Sequence, residues 1–193
     1  MTWNATSYIS TNTDSEQAAL ECVRELRAAA EGPLKGVVVY FSLIHDPEEL
    51  IATMREALGD DVPLVGASVQ GVASRGMLAE EGYLCGVMGW SGDITIATHC
   101  VRQVSQDTAA KGDELGRFAK AVEGGPGELG VLLSEPLMGI NARTLLGAFD
   151  AACPNLAVLG AAAAGPWGPM VETWQVFASV KRGGDYYARG NVG

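Results

Sequence analysis

The sequence predicts an α/β fold: an internally duplicated β-α-β-α-β-β unit whose mixed sheets are flanked by helices, with a pseudo-twofold relation between its halves. Three observations carry that expectation. Val37 to Phe41, Val62 to Val65, Leu129 to Leu133 and Leu156 to Leu159 are short apolar runs without a charged interruption, as strands covered on both faces require. Amphipathic helical patterns alternate with them, which gives strand–helix–strand units with parallel strands and right-handed crossovers. The chain also matches itself: Ser42 and Ser134 lie 92 residues apart, as do Gly92 and Gly184, and Gly66 and Gly160 lie 94 apart. The two repeats span about 5–104 and 94–193, within a single domain covering 1–193.

Ala5 to Asn12 reads as an edge strand, and Asp14-Ser15 caps the following helix, with acids in its first turn. Ala18, Ala19, Cys22, Val23 and Leu26 recur at helical spacing, so one face is buried before Gly32-Pro33 stops the helix. After the strand at Val37 to Phe41, Asp46-Pro47-Glu48-Glu49 combines an N-cap aspartate, a proline at the first helical position and acids at the positive end of the dipole. That helix runs to about Leu58, and Val62 to Val65 returns as a second buried strand. Val72 to Glu80 reads as a loop, and Tyr83 to Met88 and Ile94 to Thr98 read as a hairpin turning at Gly92-Asp93. The second half repeats the order: a helix from Asp107 to Glu123, a break at Gly124 to Gly127, the strand from Leu129, a helix capped by Asn141, the strand from Leu156 and a hairpin at Gly184-Asp185. Its last arm, Tyr186 to Val192, stops where its counterpart runs on into a helix, so the natural polypeptide is expected to continue past Gly193.

A net charge of −10 and a pI near 4.6 argue against nucleic acid and anionic membrane as partners, because both need a basic face. No apolar run approaches the roughly twenty residues of a membrane span, and the N-terminus lacks a signal-peptide pattern, so a cytoplasmic location is expected. The four cysteines show no C-x-x-C spacing, which disfavours structural zinc. Cys85 and Cys100 would face each other across the Gly92-Asp93 turn, but a cytosolic chain is expected to keep them as thiols. His45 and His99 are the only histidines, which restricts acid–base and metal chemistry.

Ligands in open α/β sheets sit beyond the carboxyl ends of the strands. Four loops are expected there. Two are glycine-bracketed tips, Gly66-Ala67-Ser68-Val69-Gln70-Gly71 and Gly160-Ala161-Ala162-Ala163-Ala164-Gly165, where a missing side chain lets something approach the backbone closely. The other two, Ser42 to Asp46 and Ser134 to Asn141, run into helix N-termini whose free N–H groups suit a carboxylate. Candidate ligand-binding residues are therefore Ser42, His45, Gly66, Ala67, Ser68, Gln70, Gly71, Ser134, Glu135, Asn141, Gly160 and Ala161, with Glu135 or Asp46 to answer an amine. Plain alternatives stand beside them: Asn141 as a helix cap, Ser68 and Gln70 as satisfied strand-end groups, and the glycines as tight packing. Catalysis is not expected. Gln70 occupies the place of the second glycine in a G-x-S-x-G elbow, no helix pattern follows, and no phosphate-binding glycine motif is present.

The same residues carry a family resemblance. Val38 to Asp46 resembles the "LLFASPHYD" segment in the N-terminal part of FIST domains, the sensory module of F-box and intracellular signal transduction proteins. Pro63 to Gly71 resembles that family's "PVVGCSTAGE" stretch and Val158 to Gly165 its "VVGGLAGD". The resemblance implies a non-catalytic module that binds a small-molecule ligand such as an amino acid and passes the signal to an output protein or domain. It also implies a haem-binding nitric oxide sensor as an alternative, with His45 or His99 as the available ligand; no other cofactor is expected. A purely structural or assembly module is a further reading. Val72 replaces the family's usual glutamate, and Ala161 to Ala164 form an alanine run; both make the expected pocket, between the duplicated halves, less polar.

Overall fold

The apolar runs of the first half form the centre of a six-stranded mixed sheet. The computed structural model describes residues 2–74, 76–122, 129–134, 139–165, 171–178 and 186–192. Two units divide the chain, one of Met1–Thr98 with Ala163–Asn191 and one of His99–Ala162. In the first, β1 (Trp3–Ser10), α1 (Ser15–Ala29), β2 (Leu34–Phe41), α2 (Pro47–Leu58), β3 (Leu64–Ser68), β4 (Val72–Ser74), β5 (Met77–Ala79) and β6 (Cys85–Gly92) are followed, from the end of the chain, by β9 (Val171–Ala178) and β10 (Tyr186–Val192). The second holds α3 (Thr108–Lys120), β7 (Leu129–Ser134), α4 (Ala142–Ala152) and β8 (Ala157–Ala162). No helix among the described residues is long and apolar enough to cross a membrane.

The large sheet has the order β1-β6-β2-β3-β9-β10. β2 and β3 are parallel, with Phe41 opposite Ser68, while β6 runs antiparallel to both β1 and β2, and β9 antiparallel to β3. Both helices start as the sequence predicts. The Asp14 carboxylate accepts from the Gln17 N–H at 2.8 Å, and Asp46 accepts from the Glu48 and Glu49 N–H groups at 3.0 and 3.1 Å. The two helices cover one face, burying Leu26, Leu50, Ile51 and Met54 against Val39 and Phe41. On the other face Ile9, Val72 and Leu84 form a smaller cluster with Tyr40, beneath the β4–β5 hairpin.

Two expectations are corrected here. Residues 72–80 are not a plain loop but contain that short hairpin. The stretch from Ile94 to Thr98 is not a strand: β6 already has β1 on one edge and β2 on the other, so no edge is left for a hairpin arm. Ile96 instead packs over Gly36, where an added Cβ would meet its Cδ1 at 2.8 Å. All four cysteines are free, and the neighbour of Cys85 is Cys22, at 3.6 Å between sulfurs, rather than Cys100. The Cys22 side chain and burial together push the Cys85 thiol well above its ordinary pKa. β9 and β10 lie side by side as the expected terminal hairpin requires, and their turn at Gly184-Asp185 lies outside the described residues.

In the second unit β7 and β8 pair in parallel around α4, with Leu132 opposite Gly160. α3 packs on α4 through Gly112 and Gly116, whose missing side chains admit the Leu145 and Phe149 carbonyls. Asn141 caps α4, accepting from the Thr144 N–H at 3.1 Å.

Gly66 is fixed by space, since a Cβ there would run into the Val39 carbonyl across the parallel pair. Gly66→Ala should lower unfolding stability by about 3 kcal/mol. Gly147→Ala, in the interior of α4 with nothing within 4 Å of the added carbon, should raise it by about 0.5–1 kcal/mol. Urea denaturation of the two variants checks the contrast; equal effects would show that Gly66 is not packed as described.

Candidate functional site

β2 and β3 end together, and the chain must leave both strands at the same edge of the sheet. Ser42, the first residue beyond β2, has no freedom left. Its N–H donates to the Leu84 carbonyl, its hydroxyl donates to the Gly82 carbonyl at 2.9 Å and it accepts from the Leu84 N–H at 3.1 Å. Ser68, at the end of β3, is fully buried. Its hydroxyl accepts from the Trp174 N–H at 2.9 Å and its carbonyl from the Ala164 N–H at 2.8 Å, while the next residue, Val69, donates to the Phe41 carbonyl. The Gln70 side chain donates to the Gly165 carbonyl at 2.9 Å on the exposed rim. The tip 66–71 is thus bonded to residues 164 and 165, the end of the second glycine-bracketed stretch. Ala67 is buried on the opposite face of β3, and a Cβ at Gly71 would meet the Ala79 carbonyl at 3.0 Å.

His45 is the exception among these residues. It is 2% exposed, its Nδ1 lies 3.2 Å from the Ser15 hydroxyl at the start of α1, and its Nε2 is buried without a partner. The Tyr83 ring meets it edge to face, 5.2 Å between centroids. Burial holds the imidazole below its ordinary pKa, outweighing the pull of the Asp14 carboxylate in the other direction. Tyr40, on the smaller-cluster face of β2, has its phenol pushed up by burial.

Of the twelve predicted residues, the first unit gathers Ser42, His45, Gly66, Ala67, Ser68, Gln70 and Gly71 at or beside the carboxyl ends of β2 and β3. The second unit carries Ser134 at the end of β7 and Gly160 and Ala161 in β8, where a Cβ on Gly160 would strike the Leu132 carbonyl. Asn141 uses its side-chain oxygen as the α4 cap, and Glu135 lies outside the described residues. Sequence reasoning missed Ser15, Tyr83 and Trp174. Ser15 stood beside a legible cap, whereas Trp174 reaches Ser68 across 106 positions of sequence, which no local pattern reports.

The edge does not assemble a nucleophile–base pair. The His45 ring bonds Ser15 rather than Ser68, and Asp46 spends its carboxylate on two helix N–H groups, so the Ser-His-Asp arrangement is not assembled. In neither histidine does Nε2 stand open to a haem iron. The Nε2 of His45 is enclosed, and that of His99 faces Glu114 at 3.3 Å while the ring stacks on Phe118.

A mixed sheet with helices on one face and its polar residues collected at the carboxyl ends of parallel strands defines an α/β class of domain whose candidate site lies at those strand ends. The sequence matches the FIST N domain over residues 35–185, well over half its length, and the chain belongs to the FIST family. FIST domains are sensory domains of signal transduction. No match was found among curated proteins.

Ser68→Ala removes the buried acceptor of the Trp174 N–H and should cost about 1–3 kcal/mol of stability. Gln70→Ala, on an exposed bond, should cost less than about 0.5 kcal/mol. Chemical denaturation of the pair checks this ordering; the reverse order would move the structural anchor from Ser68 to the rim.

Proposed function

We propose that this chain is the non-catalytic sensor of a signalling protein, taking an amino acid or a similar small metabolite at the carboxyl ends of β2 and β3 and passing occupancy to an output protein or domain. The observation that carries the reading is the bonding of the 66–71 tip to Ala164 and Gly165. A ligand that competes for the exposed Gln70 bond acts on a tip also tied, through Ser68, to β9, so binding at the rim has a route into the sheet. The N-termini of α1 and α2 are joined at the Ser15 hydroxyl, which accepts from the Asp46 N–H at 3.0 Å, beside the same edge.

The duplicated-domain reading is part of this proposal. In both units a glycine stands opposite the carbonyl-bearing residue of its parallel neighbour, Gly66 with Val39 and Gly160 with Leu132. That shared geometry supports repeats of about 5–104 and 94–193 and makes Gly160 and Ala161 the counterparts of Gly66 and Ala67. Four free cysteines agree with a cytoplasmic setting. One observation favours the structural-module reading instead: Ser42 and Ser68 already have internal partners.

A thermal-shift screen of amino acids and small carboxylates separates the two. A ligand at a hundred times its dissociation constant adds about 2.7 kcal/mol, several degrees in Tm. Gln70→Ala should weaken that shift without lowering the unliganded Tm appreciably. Silence across the panel at millimolar concentration would leave the structural module as the better reading.

A further inference from the structure

We propose that His45 is a proton-operated latch: uncharged, it locks the β2–α2 loop between the start of α1 and the segment entering β6, and on protonation it releases both. The inference concerns this chain's own response to acid and does not depend on the ligand reading.

Three pieces of chain meet at the ring. The start of α1 contributes the Ser15 hydroxyl, the loop itself contributes His45 and the Asp46 N–H, and the segment before β6 contributes the Tyr83 ring. Ser15 is 7% exposed and His45 2%, so water does not compete for their polar atoms. The same loop is held further along by Ser42, whose carbonyl accepts from the His45 N–H at 3.2 Å and whose hydroxyl is tied to Gly82 and Leu84. Release of the ring therefore loosens residues 42–46 and 82–84 together.

The Ser15 oxygen has one proton and two lone pairs, and one lone pair is taken by the Asp46 N–H. In either neutral tautomer His45 shares one bond with that hydroxyl and leaves Nε2 bare, a cost of the ordinary buried-polar kind. The imidazolium carries two N–H donors. One would take the last lone pair of Ser15 and force the serine proton to a new acceptor; the other, on Nε2, would be a buried cationic N–H facing no acceptor.

The charges around the ring do not rescue it. Asp14 at the cap of α1 favours the cation, but its carboxylate is engaged with the Gln17 N–H. Asp46 is engaged with Glu48 and Glu49, the positive ends of α1 and α2 both oppose a cation, and Tyr83 brings no charge.

The closed state therefore has a lowered His45 pKa and the open state the ordinary value of about 6.5. Above that value neither state takes up the proton and the latch holds. As pH falls below about 6.5 the open state binds the proton first, so opening grows by up to about tenfold per pH unit until the closed-state pKa is reached.

Amide hydrogen exchange, corrected for intrinsic rates and run from pH 7.5 to 5.5 on the whole chain, tests this. Amides of 42–46 and 83–84 should lose protection below about pH 6.5 by up to about tenfold per unit. In His45→Gln the same amides should exchange at a rate that no longer depends on pH after correction. Flat protection in the wild-type chain, or retained pH dependence in His45→Gln, overturns the latch. If that variant does not fold, the His45 ring resonance of the wild-type chain, assigned with His99→Gln, decides. A midpoint below the ordinary histidine value supports the latch, and one at or above it overturns it.

Discussion

The end of β3 is the constraint from which the rest of the first unit follows. Gly66 has no side chain because the Val39 carbonyl occupies the place of its Cβ, and two residues on, Ser68 is buried with both its carbonyl and its hydroxyl engaged. Buried polar groups need partners, so the strand can end here only if residue 164 and the Trp174 amide arrive at the right places. That requirement brings a segment from the end of the chain into a sheet begun at its start, and it sets β9 beside β3.

Once that edge is fixed, α1 and α2 have one available face, and their apolar stripes fill it with Leu26, Leu50, Ile51 and Met54. Their N-termini then lie at the same end as the strand tips, with one serine hydroxyl joining them. The polar residues at this edge divide into two groups. Ser42 and Ser68 are spent on architecture, whereas Gln70 on the rim and His45 beneath it keep a bond that can be exchanged or an atom without a partner. The sensor proposed for this edge would rest on that second group, because its members can change state without dismantling the sheet.

What was legible in the sequence was short-range. Asp14, Asp46, Asp107 and Asn141 each announce a helix within four residues, and each caps one. The β2–α2–β3 crossover could be read because its strands are uninterrupted and close in sequence. Trp174 meeting Ser68 could not, since nothing in either local pattern encodes a partner 106 residues away. The error at 94–98 has the same origin. An alternating stretch beside a turn signal looks like a hairpin arm until it is known that β6 is an interior strand with both edges taken. Of the site, the tips and His45 were visible as residue types at strand ends, but that Ser42 and Ser68 serve the backbone, and that Ser15 holds His45, depended on contacts between distant segments.

The most direct test of the edge as the sensing point is a map of backbone amide shifts on titrating the chain with whichever small metabolite stabilises it. The account predicts perturbations concentrated at residues 42–46, 66–71 and 163–165. Perturbations confined to α3 and α4, with those three stretches unmoved, would contradict it.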